Sequence, residues 1–162
     1  LLKNPGHVAE IDCLLDVLPD ACVIQTHRDP VQAIASISSL LLMSRQMMEG
    51  ERTRAEVIGE RELEYWGRAM EKMARVRQTR PDQFHDVDHR QFHREPMRVV
   101  RGIYDRFGLS LSDEAAQRMQ RWIVESPTSK HGEHRYDIAA FGITSEQVRE
   151  RFADYIARYS LD

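Results

Sequence analysis

The chain has 162 residues, of which 41% are hydrophobic, 30% are charged and 7% are aromatic. That length suits one domain with its own apolar core, and the apolar content excludes an intrinsically disordered chain. Lysine and arginine number 23 against 26 aspartate and glutamate residues, so the formal charge is −3. This balance argues against a strongly basic nucleic-acid-binding protein and against a polybasic membrane-binding protein. The apolar stretch at 34–43 is interrupted by serines and is far shorter than the roughly 20 residues that cross a bilayer.

Two cysteines, Cys13 and Cys22, are each flanked by apolar residues. We interpret them as buried structural thiols rather than as a disulfide framework or a metal-ligand pair. Free thiols are typical of reducing compartments and the first residues show no signal pattern, so we expect a cytoplasmic location. The chain begins Leu1-Leu2-Lys3 within a hydrophobic segment and without an initiator methionine, which suggests a piece of a longer protein.

Hydrophobic periodicity and turn signals predict long helices that alternate with a few short strands. In chain order, the predicted elements are a candidate strand at 1–3, helices at 8–18 and 31–48 on either side of a strand at 21–26, a long helix ending near 79, a strand at 84–87, and helices at 97–107, 112–124 and 144–159. The strand at 21–26 is largely apolar and β-branched, as parallel strands buried on both faces are.

This alternation predicts an α/β fold with a parallel sheet flanked by helices. Three strands barely form a sheet, so we expect a helix-rich domain that is incomplete at its N-terminus. The whole chain, residues 1–162, is predicted to be one domain.

Arg28 follows the predicted strand at 21–26 after one residue, His27, and directly precedes Asp29, which caps the next helix. Ligands collect at the carboxyl ends of parallel strands, where helix N-termini offer free backbone N–H groups. A guanidinium there can bind phosphate through two hydrogen bonds, and the hydroxyl of Ser36 lies about two turns along the same helix. The alternative is that Arg28 pairs on the surface with Asp29 or Glu10, while Ser36 packs against a neighbour.

Lys3 and His7 bracket a turn at the end of the first candidate strand. A lysine can neutralise a leaving phosphate or sulfate oxygen, and a histidine can take a proton from an acceptor hydroxyl. The alternative is a histidine that caps the turn and has no part in catalysis.

The first 40 residues, LLKNPGHVAEIDCLLDVLPDACVIQTHRDPVQAIASISSL, resemble the middle of a bacterial sulfotransferase that uses 3′-phosphoadenosine 5′-phosphosulfate (PAPS). The shared features are a Lys-x-Pro-x-His turn, a helix ending in Pro-Asp-Ala, and a strand followed by His-Arg-Asp-Pro and a later serine. The stretch KHGEHRYDIAAFGITSEQVRERFADYIARY is similar to the end of that family. The similarity is weakest over 49–83.

The resemblance implies a sulfotransferase fold like that of P-loop kinases, with helices on both faces of a parallel sheet. It implies that Arg28 and Ser36 bind the 3′-phosphate of PAPS, and that Lys3 and His7 are catalytic. It also implies a C-terminal basic loop that closes over the nucleotide, with candidate residues Lys130, Gly132, His134 and Arg135. No metal is required, because arginines, lysines and backbone amides can carry the charge.

The sequence departs from the family in two ways. The loop resembling Pro-Lys-Ser-Gly-Thr-Thr, which holds the 5′-phosphosulfate in the family, does not occur in the 162 residues, and no Walker loop occurs either. Three residues separate Lys3 from His7, whereas one does so in the eukaryotic branch. Because the loop supplies electrostatic stabilisation that dominates such chemistry, we expect weak PAPS binding and slow turnover by this chain alone.

The predicted function is therefore transfer of a sulfuryl group from PAPS to a hydroxyl or amine of a small molecule or a glycan. The alternative is a non-catalytic helical interaction or scaffold domain derived from the same fold, and a nucleotide kinase relative is a weaker third. We expect no nucleic-acid partner. The sequence identifies neither the acceptor nor the oligomeric state, and a homo-oligomer is one alternative.

His85, His89 and His93 recur every four residues, but a predicted strand and Pro96 interrupt any shared helix face, so we assign no metal site.

Overall fold

The protein is described here by a computed structural model, which covers residues 1–126 and 137–161. Its strands are β1 (Val23–His27) and β2 (Phe84–Asp88). Its α-helices are α1 (Ile11–Val17), α2 (Pro30–Glu49), α3 (Ala55–Thr79), α4 (His89–Arg94), α5 (Pro96–Arg106), α6 (Asp113–Glu125), α7 (Ser145–Arg151) and α8 (Ala153–Tyr159). Short 3-10 helices occupy Pro5–Val8, Gly50–Arg52, Pro81–Gln83 and Ile138–Phe141. The α/β prediction with a parallel sheet is confirmed.

The chain divides into two compact units. Unit 1 contains 1–21, 28–81 and the described residues 137–161, and unit 2 contains 22–27 and the described residues 82–126. The expectation of a single domain stays a prediction. No helix in the described ranges combines the length and the apolar character needed to cross a membrane.

Unit 1 is built around α2 and α3, which pack against each other and against the C-terminal segment. Its core joins Ile34 and Ala35 of α2 to Ile138 and Phe141 of the last 3-10 helix and to the apolar faces of α7 and α8. Gly59 of α3 makes this possible, because a Cβ there would overlap the carbonyl oxygen of Phe141. Packing of Ile34 and Ala35 into this core therefore holds α2 in place within unit 1.

Unit 2 carries the sheet, in which β1 and β2 are parallel with His27 opposite Asp88. The prediction that the strand at 21–26 is buried on both faces is wrong for the described residues. Gln25 and His27 are buried, whereas Ile24 and Thr26 are exposed, with Ile24 at 42%. Successive side chains point to opposite faces of a strand, so β1 has one covered face, and polar side chains occupy it.

Three further expectations are corrected. Residues 1–3 form no strand, because a strand needs a hydrogen-bonded neighbour and in the described chain only β1 and β2 pair. Cys13 and Cys22 are exposed thiols. The predicted last helix begins with the Thr144 capping box as expected, but it is divided at Phe152 into α7 and α8.

Candidate functional site

The start of α2 has the local geometry that its sequence predicts. The Asp29 side chain accepts a hydrogen bond from the backbone N–H of Val31 at 3.0 Å, and Pro30 takes the first helical position. Such a cap satisfies one of the free N–H groups at a helix N-terminus, and proline has no N–H to satisfy. Arg28, the residue before this cap, is half-buried. The helix therefore begins in a fixed register directly after Arg28.

The Arg28 guanidinium is held by a neutral side chain. Its Nε and Nη2 atoms donate to Oε1 of Gln32 at 3.3 and 3.1 Å. The surface ion pairs considered as alternatives are not formed, because Asp29 caps α2 and Glu10 lies 3.7 Å from Lys72. Within the described residues, Arg28 has no carboxylate partner. Its positive charge is consequently available to an anionic ligand.

Ser36 lies on the same side of α2 as the partner of Arg28. Gln32 and Ser36 are four residues apart, and side chains at that spacing are neighbours on one helix face, with Cβ atoms about 5–6 Å apart. Ser36 is half-buried, and in the described part of the chain its hydroxyl has no hydrogen-bond partner. Arg28 contacts Gln32, and helix spacing makes Gln32 a neighbour of Ser36, so Gln32 is the described link between the two candidate residues.

Lys3 and His7 lie in a tight turn. The side chain of Asn4 accepts from the backbone N–H of Gly6 at 2.9 Å, and the backbone N–H of His7 donates to the Asn4 carbonyl oxygen at 3.2 Å. Lys3 is exposed and His7 is half-buried. Within the described residues, no hydrogen bond or ion pair joins either side chain to Arg28. Their catalytic roles stay predictions.

The segment that follows this turn is fastened to α3 by Lys72. Its Nζ atom donates to the Ala9 carbonyl oxygen at 2.8 Å and contacts Oδ1 of Asp12 at 2.6 Å. The hydrogen bond with Lys72 lowers the pKa of Asp12, and the same bond raises the pKa of Lys72. Glu10, Asp12 and Cys13 place ligand-type atoms within 4.8 Å of one another, but the lysine ammonium already contacts both carboxylates.

The proposed nucleotide-closing residues lie outside the described ranges. What is described is the segment that follows them, where Asp137 caps the 3-10 helix at the backbone N–H of Ala139, at 3.0 Å. That helix packs on α2 and α3. The residues concerned are Lys130, Gly132, His134 and Arg135.

Sequence reasoning missed three polar pairs that the structure forms. Gln32 holds Arg28 across the cap of α2, and their short separation in sequence was the only signal for this pairing. Nε2 of His27, which is 2% exposed, lies 2.8 Å from Oδ1 of Asp86 within unit 2. In unit 1, Nε1 of Trp66 donates to Oε2 of buried Glu62 at 3.0 Å. The second of these pairs joins two strands and cannot be read from local sequence.

The histidines near β2 do not converge on one point. Nε2 of His89 and Nε2 of His93 are 3.1 Å apart on α4, whereas His85 packs edge-on against Phe107. The short helix α4 begins directly after β2, because Asp88 caps it. His89 and His93 are four residues apart on α4 and therefore share one face of that helix, whereas His85 lies on β2.

Comparisons with known proteins match the chain to one protein family. Residues 1–113 match a family model described as "Sulfotransferase family". The chain is similar to the crystal structure of sulfotransferase STF9 from Mycobacterium avium, with 28% identity over 99% of this chain and a TM-score of 0.90. It is also similar to sulfotransferase STF1 from Mycobacterium tuberculosis H37Rv, with 37% identity over 94% of this chain and a TM-score of 0.76. The chain spans 42% and 39% of those two proteins. A search of curated proteins finds no match.

Proposed function

The chain belongs to the sulfotransferase family, and on that premise we propose that Arg28 and Ser36 bind the 3′-phosphate of PAPS, the sulfuryl donor that the family generally uses. The observation that carries the proposal is the state of Arg28: its guanidinium is oriented by neutral Gln32 and, among the described residues, has no carboxylate to compete with a phosphate. Charge-assisted hydrogen bonds from a guanidinium suit a phosphate, and the nearby hydroxyl of Ser36 supplies a further donor.

The helix itself supports the same site. An α-helix carries about half a positive charge at its N-terminus, and α2 begins immediately after Arg28. The partial charge of the helix adds to the charge of Arg28, although the Asp29 carboxylate offsets part of it, and the guanidinium and the Ser36 hydroxyl are the groups that would donate to the phosphate. All of these groups belong to unit 1.

The proposed reaction is an in-line sulfuryl transfer. The acceptor oxygen or nitrogen attacks the sulfur while His7 takes the proton from the acceptor, and the bond from sulfur to the bridging oxygen of the 5′-phosphate breaks. Lys3 stabilises the negative charge that develops on that oxygen. The products are a sulfated acceptor and adenosine 3′,5′-bisphosphate. The chain's own groups would provide this charge stabilisation, without a metal ion.

The remaining parts of the proposal concern the closing loop and the acceptor. Lys130, Gly132, His134 and Arg135 would close over the nucleotide, and the acceptor would be a small molecule or a glycan. Because the 162 residues contain no loop of the Pro-Lys-Ser-Gly-Thr-Thr type, we expect PAPS to bind weakly and turnover by this chain alone to be slow. A cytoplasmic location stays a prediction.

Titration calorimetry with adenosine 3′,5′-bisphosphate tests the site. We expect the wild-type chain to bind, and Arg28→Ala to bind about 10- to 100-fold more weakly, since hydrogen bonds to charged groups contribute about 1.5–3 kcal/mol. Arg75→Ala is the matched control, because Arg75 is an exposed arginine on α3 whose loss changes the net charge equally. Binding that Arg28→Ala and Arg75→Ala weaken equally would contradict the site. No binding by the wild-type chain would favour the non-catalytic scaffold alternative.

A further inference from the structure

Gln32 occupies one edge of the Arg28 guanidinium. A guanidinium has five N–H donors in a planar fork, one on Nε and two on each Nη atom. Oε1 of Gln32 accepts one from Nε and one from Nη2. Three donors remain, two on Nη1 and one on Nη2, and one N–H of each Nη atom faces the far end of the fork. That end can still bind two oxygens of one phosphate.

The chemistry of the partner matters as much as its position. A carboxylate at position 32 would orient Arg28 equally well, but it would also neutralise the positive charge and repel a phosphate bound at the far end of the fork. An amide oxygen accepts the hydrogen bonds and leaves the positive charge in place. Gln32 is itself exposed on α2, so its side chain has no packing role in the core.

We propose that Gln32 is a positioning residue, which holds Arg28 with the Nη1–Nη2 end of its guanidinium directed to an incoming phosphate. This inference rests on the proposed function, because the ligand in question is the 3′-phosphate of the nucleotide. It adds to that site a residue that lies between the His-Arg-Asp-Pro motif and Ser36 and belongs to neither. Holding the arginine before the ligand arrives reduces the side-chain entropy lost on binding.

Two substitutions at position 32 separate orientation from charge. Gln32→Leu removes the acceptor and retains similar size and helix propensity, so we expect adenosine 3′,5′-bisphosphate to bind about 3- to 10-fold more weakly. Gln32→Glu introduces a carboxylate within reach of the guanidinium, so we expect a loss larger than that of Gln32→Leu. Calorimetry at one fixed salt concentration measures both, and thermal unfolding checks that both variants fold.

Gln46 offers a matched control on the same helix. It is exposed and lies fourteen residues further along α2, about 21 Å at 1.5 Å per residue. Gln46→Leu and Gln46→Glu should bind the bisphosphate within about twofold of the wild-type chain, because at that distance solvent screens a single charge. Equal losses at positions 32 and 46 would overturn the inference, since they would reflect net charge or helix stability alone.

A double-mutant cycle with Arg28→Lys shows whether Gln32 acts through Arg28. Lysine keeps the charge and lacks the fork, so in that background Gln32→Leu should change the dissociation constant less than twofold. An undiminished effect in the lysine background would overturn the inference, because a merely structural role would persist there.

The two proposals fail in different ways. If Arg28→Ala loses binding while Gln32→Leu binds like the wild-type chain, the role of Gln32 is wrong and the phosphate site stands. If Arg28→Ala does not weaken binding, or the wild-type chain does not bind, both are wrong.

Discussion

Two regions of unit 1 are predicted from equally short motifs: the helix-start region, residues 28–36, and the N-terminal turn, residues 3–7. The structure orients their candidate side chains to different degrees. In the helix-start region, Asp29 caps α2, Gln32 holds Arg28, and Ser36 follows on the same face. In the N-terminal turn, Lys3 is exposed and the strand expected before it is not formed. A local cap and a proline set the backbone of both regions, but only in the first do described hydrogen bonds also orient a candidate side chain, that of Arg28.

This difference shows what a short motif can specify. Caps, proline at a first helical position and four-residue spacing act between residues close in sequence, so they fix a local site wherever the helix forms. A strand depends on hydrogen bonds to a neighbouring strand, which no local signal supplies. A short motif therefore predicts a site best where the interactions that orient its side chains are local in sequence.

The largest effect that we predict concerns the support beneath the helix-start region. In Gly59→Ala, the new Cβ would overlap the backbone carbonyl of Phe141, and overpacking costs about 1–3 kcal/mol. Because Phe141 shares its core with Ile34 and Ala35 of α2, we expect a lower free energy of unfolding in urea together with weaker bisphosphate binding.

The control for that change is Gly102→Ala on α5. A Cβ at Gly102 meets nothing within 4 Å, so the substitution should stabilise the chain by about 0.5–1 kcal/mol through helix propensity. If both alanine variants behave alike, the close approach at Gly59 does not support α2.

The next effect compares the two regions directly. Ser36→Ala removes one proposed hydrogen bond to the 3′-phosphate and should weaken bisphosphate binding about 3- to 10-fold. His7→Gln should leave that binding within about twofold, because its proposed partner is the acceptor, and it should lower any sulfate transfer that the wild-type chain supports. Calorimetry and transfer of labelled sulfate from PAPS measure the two quantities. A strong loss of nucleotide affinity in His7→Gln would remove the distinction between the regions.

Particular elements show how far the sequence alone could predict this fold. The starts of α2 and α7 were predictable, because Asp29 and the Thr144 capping box are local signals. The break at Phe152 was not, since its aromatic ring is buried in the core and tertiary packing overrides helix periodicity there. The burial of His27 beside Asp86 depends on the pairing of β1 with β2, two segments far apart in sequence.

The candidate site follows the same rule. Counting residues predicts Arg28 and Ser36 on one side of the helix start, and their shared role stays a prediction. Gln32 was overlooked because a neutral, exposed residue carries no signal of its own and becomes informative only when its partner is known. The roles of the C-terminal basic residues rest on the resemblance and stay predictions.

A smaller effect tests the cap of the helix-start region. Asp29→Ala removes the hydrogen bond to the Val31 N–H and should destabilise the chain by about 1 kcal/mol in urea unfolding. Asp29→Ser is the control, because a serine hydroxyl can make the same cap, and it should remain close to the wild-type stability. Bisphosphate binding should weaken in the alanine variant only, since fraying of the first turn releases Gln32 and with it Arg28. An alanine variant as stable as the serine variant would show that Pro30 alone sets the start of α2.

The smallest effect tests how the segment after the N-terminal turn is held. The hydrogen bond to Lys72 keeps the pKa of Asp12 below its ordinary value of about 3.9. A carboxyl with a lowered folded-state pKa contributes stability above its unfolded pKa, and that contribution disappears as the pH falls through the folded pKa. The stability advantage of the wild-type chain over Asp12→Asn should therefore be present at about pH 6 and should shrink below about pH 4. Urea unfolding at several pH values measures this, with Asp20→Asn as the control at another exposed aspartate. Because Asp12 is partly exposed, the stability difference between the wild-type chain and Asp12→Asn should also decrease with added salt. A stability difference that depends on neither pH nor salt would mean that Lys72 holds this segment through the Ala9 carbonyl alone.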